Sequence, residues 1–240
     1  MAETVVLLHG FAGTRHGWDL VAGRLRPERY RPLALDLRGH GDARDVRPID
    51  FAACTADVAA AAPERFVLCG YSLGGRVALH VALAHPERIS RLVLVASTAG
   101  IEDPDLRAAR RQADEELAAD VEHATIAEFA ERWTGQPLFA GTPPEAARFW
   151  RADLERNDPG ALAAVLRGIG AGAMAPLWGR LGELRMPATI VAGERDERYT
   201  DLGRRLAAGL SGARLVIVPG AGHGLPREAP QAVADAIATA

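Results

Sequence analysis

The chain has 240 residues, of which 48% are hydrophobic and 25% are charged, and its formal net charge at pH 7 is −3. This composition fits one α/β domain with a buried core and excludes a disordered or fibrous protein. Because charges of both signs are interspersed, the balance predicts neither nucleic acid nor an acidic membrane as a partner.

No apolar stretch approaches the ~20 residues that a membrane-spanning helix needs. The two cysteines, Cys54 and Cys69, lack metal-ligand spacing and cannot form a disulfide framework. The N-terminus begins almost directly with an apolar run and has no basic segment before it, unlike a secretory signal. We therefore expect a cytoplasmic protein without a metal or a cofactor.

Short apolar runs alternate with longer amphipathic segments, which predicts βαβ units on a mostly parallel sheet flanked by helices. Each run is apolar on both faces, as is typical of strands covered on both sides. The predicted strands are Thr4–Leu8, Arg31–Leu35, Arg65–Cys69, Leu92–Ala96, Ala188–Ala192 and Arg214–Val218. The predicted helices around them are Trp18–Leu25, Ile49–Ala62, Leu73–Ala84, Thr200–Gly209 and Pro230–Thr239.

The interval from Gly100 to Leu184 interrupts this alternation. It contains no convincing strand, and glycines and prolines separate its helical segments. Because both flanks rejoin the same sheet, we interpret residues 100–184 as a helical lid over an active site, with a separate helical domain as the alternative. Residues 1–99 and 185–240 then form the core. The predicted lid helices are Pro104–Leu117, Ile126–Trp133, Pro144–Glu155 and Gly160–Gly168.

The run Gly70-Tyr71-Ser72-Leu73-Gly74 stands between a predicted strand and a predicted helix. This is the context of a nucleophile elbow, in which flanking glycines permit a tight turn and leave the serine hydroxyl exposed. Free N–H groups and the helix dipole favour negative charge at that point. The pattern therefore predicts Ser72 as the reactive serine.

A second loop, His9-Gly10-Phe11-Ala12-Gly13, follows the first predicted strand. A loop at this position can supply one backbone N–H of an oxyanion hole, while the residue after the serine supplies the other. We expect Phe11 and Leu73 to provide these two N–H groups. His9 is interpreted as a structural support for the loop.

Asp196 and His223 each follow a predicted strand near the end of the chain. Open α/β sheets place their sites at these carboxyl ends, and the chain order Ser, Asp, His is that of α/β-hydrolases. We expect His223 to accept the Ser72 proton and Asp196 to orient and stabilise the histidine. Glu194 is the competing acid, but its position nearer to the strand favours Asp196.

All 28 basic residues are arginines, so any anion site must be built from guanidinium groups. Arg107, Arg110 and Arg111 share one face of a predicted lid helix. Arg156 lies at the end of another lid helix, and Arg76 lies one turn after the serine. Solvated surface charges are the alternative for each, but several arginines above a serine would suit a substrate with more than one carboxylate.

With these residues in view, the chain resembles the 2-succinyl-6-hydroxy-2,4-cyclohexadiene-1-carboxylate (SHCHC) synthase family of menaquinone biosynthesis, in the α/β-hydrolase superfamily. The glycine-flanked serine occurs in many such enzymes, whereas Tyr71, Arg76 and the lid arginines are more specific. The matching stretches are Leu8–Gly13 with His16 and Trp18, Asp36–Gly41, Gly70–Ala78, Arg107–Asp114, Trp133 with Gln136–Ala140, Arg156-Asn157, Leu166–Gly168, Pro176–Trp178, Gly193–Asp196 and Ala221–His223. The resemblance weakens at residues 224–230, where the family tends to carry a second histidine and Glu-Asn-Pro.

The resemblance implies an elimination that removes pyruvate from 2-succinyl-5-enolpyruvyl-6-hydroxy-3-cyclohexene-1-carboxylate (SEPHCHC), with Ser72 as a base activated by His223. It also implies no cofactor and a small polycarboxylate as the partner. The implied anion contacts are Arg76, Arg110 and Arg156, and the implied pocket residues are Tyr71, Trp133 and Gln136. A monomer or small homo-oligomer is expected.

Two other functions remain open on the residues alone. A serine carboxylesterase, thioesterase or carbon–carbon hydrolase would use Ser72 as a covalent nucleophile with the same histidine and acid. A ligand-binding protein on the same fold is the second alternative, and the intact serine, aspartate and histidine set argues against it.

Overall fold

The protein folds around one six-stranded sheet, seen in a computed structural model that describes residues 2–239. All five strand pairs are parallel, and the strand order is β2-β1-β3-β4-β5-β6. This confirms the predicted α/β fold; the outermost residues of the predicted core, 1 and 240, lie outside the described part. The strands are β1 (Glu3–Leu8), β2 (Tyr30–Leu35), β3 (Phe66–Tyr71), β4 (Ile89–Val95), β5 (Ala188–Gly193) and β6 (Arg214–Val218).

Alternate side chains of each strand enter two separate hydrophobic cores. Val6 and Leu8 of β1 belong to the core on one face of the sheet, and Val5 and Leu7 belong to the core on the other. Every residue of β3 and β5 is buried. A parallel sheet covered on both faces explains why these strands are continuous apolar runs in the sequence.

Ten α-helices connect or cover the strands within residues 2–239, eight of nine or more residues and two of a single turn. The core on the first face is completed by α2, α3 and α8, and the core on the second by α1 and α10. No helix in the described range is both long and apolar enough to cross a bilayer. The helices are α1 (Asp19–Ala22), α2 (Phe51–Ala61), α3 (Leu73–Ala84), α4 (Pro104–Glu122), α5 (Ile126–Thr134), α6 (Pro144–Leu154), α7 (Pro159–Ile169), α8 (Glu197–Gly209), α9 (Leu225–Glu228) and α10 (Pro230–Thr239).

Helices α4 to α7 are inserted between β4 and β5 and have an apolar core of their own. Phe129, Leu154 and Leu162 are each at most 1% exposed within it. Ala12, from the loop after β1, is part of the same cluster and joins these helices to the sheet domain. The regular secondary structure of the segment predicted as a lid is therefore all helical. Its role as a lid stays a prediction.

The largest difference from the predicted elements is at Trp18–Leu25, which was expected to be one helix. The structure has a 3-10 turn at Arg15–Trp18 and a single helical turn, α1. Gly23 has low helix propensity, and Pro27 disfavours helical backbone at the residue before it, so the helix stops early. Smaller differences extend β3 to Tyr71 and start α8 at Glu197.

Candidate active site

Ser72 occupies the turn between β3 and α3, and its φ of 51° lies in the left-handed region that side chains rarely adopt. Its N–H donates to the Val95 carbonyl at 2.9 Å, which fixes the turn to β4. A Cβ at Gly74 would lie 2.1 Å from the Leu8 carbonyl oxygen, and one at Gly70 would lie 2.3 Å from the Gly74 carbonyl oxygen. Only glycine fits both positions, so the sequence pattern follows from the close packing of this turn.

Ser72, His223 and Asp196 lie within hydrogen-bond distance of one another in series. His223 Nε2 is 3.3 Å from Ser72 Oγ, and His223 Nδ1 is 2.6 Å from Asp196 Oδ2. With Nδ1–H donating to the carboxylate, Nε2 is left to accept the serine proton. Asp196 also accepts a hydrogen bond from the Tyr199 N–H at 3.2 Å, which caps α8 and fixes the carboxylate.

The competing acid, Glu194, does not approach the histidine in this way. Its carboxylate accepts a hydrogen bond from the Gly220 N–H at 2.8 Å and is exposed. Asp196 is therefore the carboxylate that hydrogen-bonds His223. This agrees with the expectation from its position further along the loop.

Aromatic rings enclose the imidazole of His223, which is 2% exposed. The ring centroids of Tyr199 and Tyr71 lie 4.5 and 5.4 Å from that of His223, and Phe139 contacts it edge-on at 6.2 Å. Burial raises the pKa of Tyr71 well above its usual range, so this phenol stays neutral and can donate a hydrogen bond. Neither Tyr199 nor Phe139 was predicted as a site residue.

Phe11 and Leu73 line the same cavity as Ser72, and their backbone N–H groups have no protein acceptor among residues 2–239. The Phe11 loop is held by two buried histidines. His9 accepts a hydrogen bond from the Leu37 N–H at 3.0 Å, and His40 accepts one from the Ala12 N–H at 3.2 Å. Burial lowers the pKa of both histidines, which keeps them neutral and able to accept.

A cavity of about 510 Å³ opens above Ser72 and His223. Its size falls within the roughly 300–1,000 Å³ of small-molecule sites. Residues of the helical insertion between β4 and β5 and residues of the sheet domain both line it, including the predicted pocket residues Tyr71, Trp133 and Gln136. The lining carries three guanidinium groups and one carboxylate, counted over the described residues, so the cavity is electropositive.

Arg76 is the most buried of the three arginines, with 8% of its surface exposed. Its Nη1 donates to the Ile169 carbonyl at 2.8 Å, and no carboxylate in residues 2–239 lies within ion-pair distance. Burial, followed by the nearby Arg110 charge, lowers the pKa of Arg76 to about 10. The group is still a cation at pH 7, and it forms no ion pair within residues 2–239, although the Asp114 carboxylate acts on its charge from a longer distance.

Of the three arginines predicted to share one face of α4, only Arg110 lines the cavity. Arg110 Nε donates to the buried Asp114 carboxylate at 2.7 Å, and Asp114 also accepts from the Gly172 N–H at 2.9 Å. The Asp114 carboxylate therefore fixes the orientation of the Arg110 guanidinium group. Arg107 instead donates to backbone carbonyls at the start of the helix.

Arg156 is not part of the cavity lining, contrary to the role that the resemblance implied. Its side chain is 58% exposed, and its Nε lies 3.7 Å from the carboxylate of the buried Asp153. Asp153 accepts hydrogen bonds from the N–H and hydroxyl of Thr14 at 2.8 and 2.5 Å. The arginine is thus drawn to the outer side of this buried carboxylate.

Arg198 supplies the third guanidinium group of the lining and was not predicted as a site residue. It lies in the first turn of α8, two positions after Asp196. A cation is unfavourable near a helix N-terminus unless an anion is close. The place of Arg198 directly after a strand end was the signal that could have found it.

No group of three or more His, Cys, Asp or Glu side chains within residues 2–239 is arranged to hold a metal ion. Both cysteines are buried, and burial raises their thiol pKa values, to about 12 for Cys54. Neither thiol lines the cavity. The groups that line the cavity include a serine hydroxyl, an imidazole and three guanidinium groups.

Residues 5–236 match the model of the alpha/beta hydrolase family. The chain is 32% identical over 238 residues to the 2-succinyl-6-hydroxy-2,4-cyclohexadiene-1-carboxylate synthase of Klebsiella pneumoniae subsp. pneumoniae, covering 98% of this chain and 92% of that protein. The enzyme of the same name from Enterobacter sp. is 31% identical, with 98% and 90% covered. A solved structure of MenH from S. aureus superposes with a TM-score of 0.91 at 28% identity, covering 98% of this chain and 92% of that one.

Proposed function

The chain belongs to the alpha/beta hydrolase family and, within it, to the SHCHC synthase family, and from this premise we propose that it eliminates pyruvate from SEPHCHC. The product is SHCHC, and the reaction is a carbon–oxygen lyase step of menaquinone biosynthesis. Ser72 is the general base, and His223 with Asp196 activates it.

The step balances without water or an acyl-enzyme. His223 takes the Ser72 proton, and the serine oxygen removes the proton from the ring carbon that carries the succinyl carbonyl. The electron pair forms one ring double bond, the existing double bond moves along the ring, and the carbon–oxygen bond to the enolpyruvyl group breaks. The leaving enolate takes the proton from His223 and becomes pyruvate.

Negative charge develops on the succinyl carbonyl oxygen during this step. The N–H groups of Phe11 and Leu73 have no acceptor in the described protein and lie beside Ser72. They would stabilise that oxygen as donors already fixed in position by the backbone. The Tyr71 hydroxyl, which stays neutral, is available as a further donor.

The observation that carries the proposal is the buried charge of Arg76, which forms no ion pair within residues 2–239, in the cavity above Ser72 and His223. A buried cation without a partner is costly, so its presence points to an anionic ligand. SEPHCHC has three carboxylates, and the cavity has three arginines, Arg76, Arg110 and Arg198. In this proposal Arg198 takes the place that the sequence assigned to Arg156.

Ester or thioester hydrolysis through a Ser72 acyl-enzyme is the second candidate. The same free N–H groups and the same histidine would serve a tetrahedral intermediate. A hydrolase acting on neutral substrates would gain nothing from the buried Arg76 charge. The elimination is therefore the better fit to the cavity.

The test compares the purified protein on SEPHCHC and on a panel of short p-nitrophenyl esters. We expect rapid pyruvate release and weak ester cleavage. Strong ester cleavage with pyruvate release at background would return the function to a hydrolase. The predicted cytoplasmic location and the monomeric or small homo-oligomeric state remain predictions.

A further inference from the structure

The carboxylate of Glu228, at the end of the short helix that follows His223, is 2% exposed and accepts four hydrogen bonds. Its Oε2 accepts from the Gly222 N–H at 2.7 Å and from Arg195 Nη2 at 2.8 Å. Its Oε1 accepts from the Gly224 N–H at 3.1 Å and from the Thr142 hydroxyl at 3.2 Å. Both oxygens are therefore fully used.

Two of these donors flank His223 directly, one on each side. The loop around the histidine contains three glycines, Gly220, Gly222 and Gly224, and glycine backbone is the most costly to order. A Cβ at Gly224 would lie 2.9 Å from Glu228 Oε1, so the carboxylate is packed against this backbone. Glu228 thus holds the backbone on both sides of His223.

The serine–histidine contact is sensitive to the position of this loop. His223 Nε2 and Ser72 Oγ are 3.3 Å apart, near the outer limit for a useful hydrogen bond. A displacement of the loop away from the serine by a fraction of an ångström would break the contact.

The other two donors connect Glu228 to the loop that carries Asp196, called the acid loop below, and to the lid. Arg195 precedes Asp196, and its Nε donates to the Gly220 carbonyl at 2.9 Å while its Nη1 donates to the Ala140 carbonyl at 3.3 Å. Thr142 belongs to the lid segment between the α5 and α6 helices. One buried carboxylate therefore links the histidine loop, the acid loop and the lid.

We propose that Glu228 is a positioning residue that holds His223 in register with Ser72, and that the same carboxylate anchors the lid through Thr142. The proposal rests on the roles proposed above for Ser72 and His223. Glu228 itself lies outside the cavity lining and acts through the backbone on either side of the histidine.

The decisive variant is Glu228→Gln, because an amide keeps the shape but has one acceptor oxygen and a donor in place of the other. Two of the four groups that donate to Glu228 would then face the side-chain NH2 group of the glutamine. The matched control is Glu194→Gln, which makes the same change at an exposed carboxylate that bonds the Gly220 N–H of the same loop. Thr142→Val removes only the hydroxyl contact to the lid.

Two readouts separate positioning from folding. The first is the rate at which diisopropyl fluorophosphate labels Ser72, a reaction in which the serine oxygen bonds phosphorus, fluoride leaves and His223 takes the proton. The second is kcat and KM for pyruvate release, with the folded fraction of each variant measured by circular dichroism at the assay temperature.

We expect Glu228→Gln to slow labelling and to lower kcat by about tenfold or more, with KM changed by less than about threefold. Glu194→Gln should behave as wild type. Thr142→Val should raise KM for SEPHCHC and leave the labelling rate unchanged, because the small probe does not need the lid.

Wild-type labelling and kcat in Glu228→Gln would overturn the proposal, and so would losses no larger than the loss of folded protein. An equal loss in Glu194→Gln would also overturn it. Because labelling needs no SEPHCHC, slow labelling of Glu228→Gln would support the positioning role even if the wild type released no pyruvate.

Discussion

The Arg76 guanidinium lies one helical turn after Ser72 and is buried beside the cavity with a backbone carbonyl as its protein acceptor. Such a charge destabilises a folded chain unless a ligand compensates it. At the scale of single residues, the arginines therefore report the substrate class more directly than Ser72, His223 and Asp196, which serve elimination and hydrolysis alike.

Arg76→Met should raise KM for SEPHCHC by about tenfold or more, because it removes one charged contact to a substrate carboxylate. Cleavage of neutral p-nitrophenyl esters should hardly change, since those substrates do not use the charge. Steady-state kinetics on both substrates check this. Equal losses on both would show that Arg76 acts only through the structure.

The same variant should be more stable than the wild type at pH 7, with the melting temperature raised by about 2 °C. The folded-state pKa of Arg76 is about 10, below the ordinary value of an arginine, so the unfolded chain binds this proton more tightly. The group therefore lowers stability at neutral pH, and this penalty shrinks as the pH rises above about 10 toward the higher pKa of the unfolded chain. Thermal unfolding of both proteins at pH 7 and pH 10.5 measures it, and a destabilised variant at pH 7 would contradict the argument.

Arg198→Gln should raise KM for SEPHCHC by about fivefold with kcat within about twofold, because it removes a contact made equally by substrate and transition state. Arg204→Gln is the matched control on the same helix, where the arginine is exposed and paired with Asp201 at 2.7 Å. Kinetics of the two variants decide the point. Equal KM values for wild type and Arg198→Gln would remove Arg198 from the proposed site.

At the scale of elements, the sequence predicted the bounds of a strand or helix correctly where packing allows few alternatives. The strand β6 and the helices α3 and α10 run between the residues that were predicted, because apolar runs and helical periodicity bound them. The expected helix at Trp18–Leu25 was wrong because Gly23 and Pro27 end it after one turn. The short helix α9 was not predicted, since four residues carry no periodicity.

The α3 N-terminus packs closely against the end of β1. Gly74→Ala should lower the free energy of unfolding by about 3 kcal/mol, because its Cβ would lie 2.1 Å from the Leu8 carbonyl oxygen. Gly179→Ala is the control, as nothing lies within 4 Å of a Cβ there, and its effect should stay within about 0.5 kcal/mol. Urea denaturation gives both values, and a fully stable Gly74→Ala protein would contradict the described packing.

At the scale of the whole molecule, the chain brings together residues from both ends of the sequence and from the lid. Order along the chain and position after strands were enough to predict that Ser72, Asp196 and His223 would meet, because parallel strands share a carboxyl edge. The arginines of the predicted lid were harder to assign. Helical periodicity predicts on which side of a helix Arg107, Arg110 and Arg156 lie, but not whether their side chains reach the cavity. Which guanidinium groups reach the cavity depends on how buried carboxylates such as Asp114 and Asp153 orient the lid.

The measurement that tests the central claim most directly follows pyruvate and SHCHC together after SEPHCHC is mixed with the wild type or with Ser72→Ala. We predict that the wild type forms the two products in equal amounts and that Ser72→Ala loses most of this activity, by about a thousandfold. Intact-mass analysis of the wild type during turnover should show no covalent adduct on Ser72. Pyruvate release that survives in Ser72→Ala, or an acyl adduct that accumulates on the wild-type serine, would contradict the account.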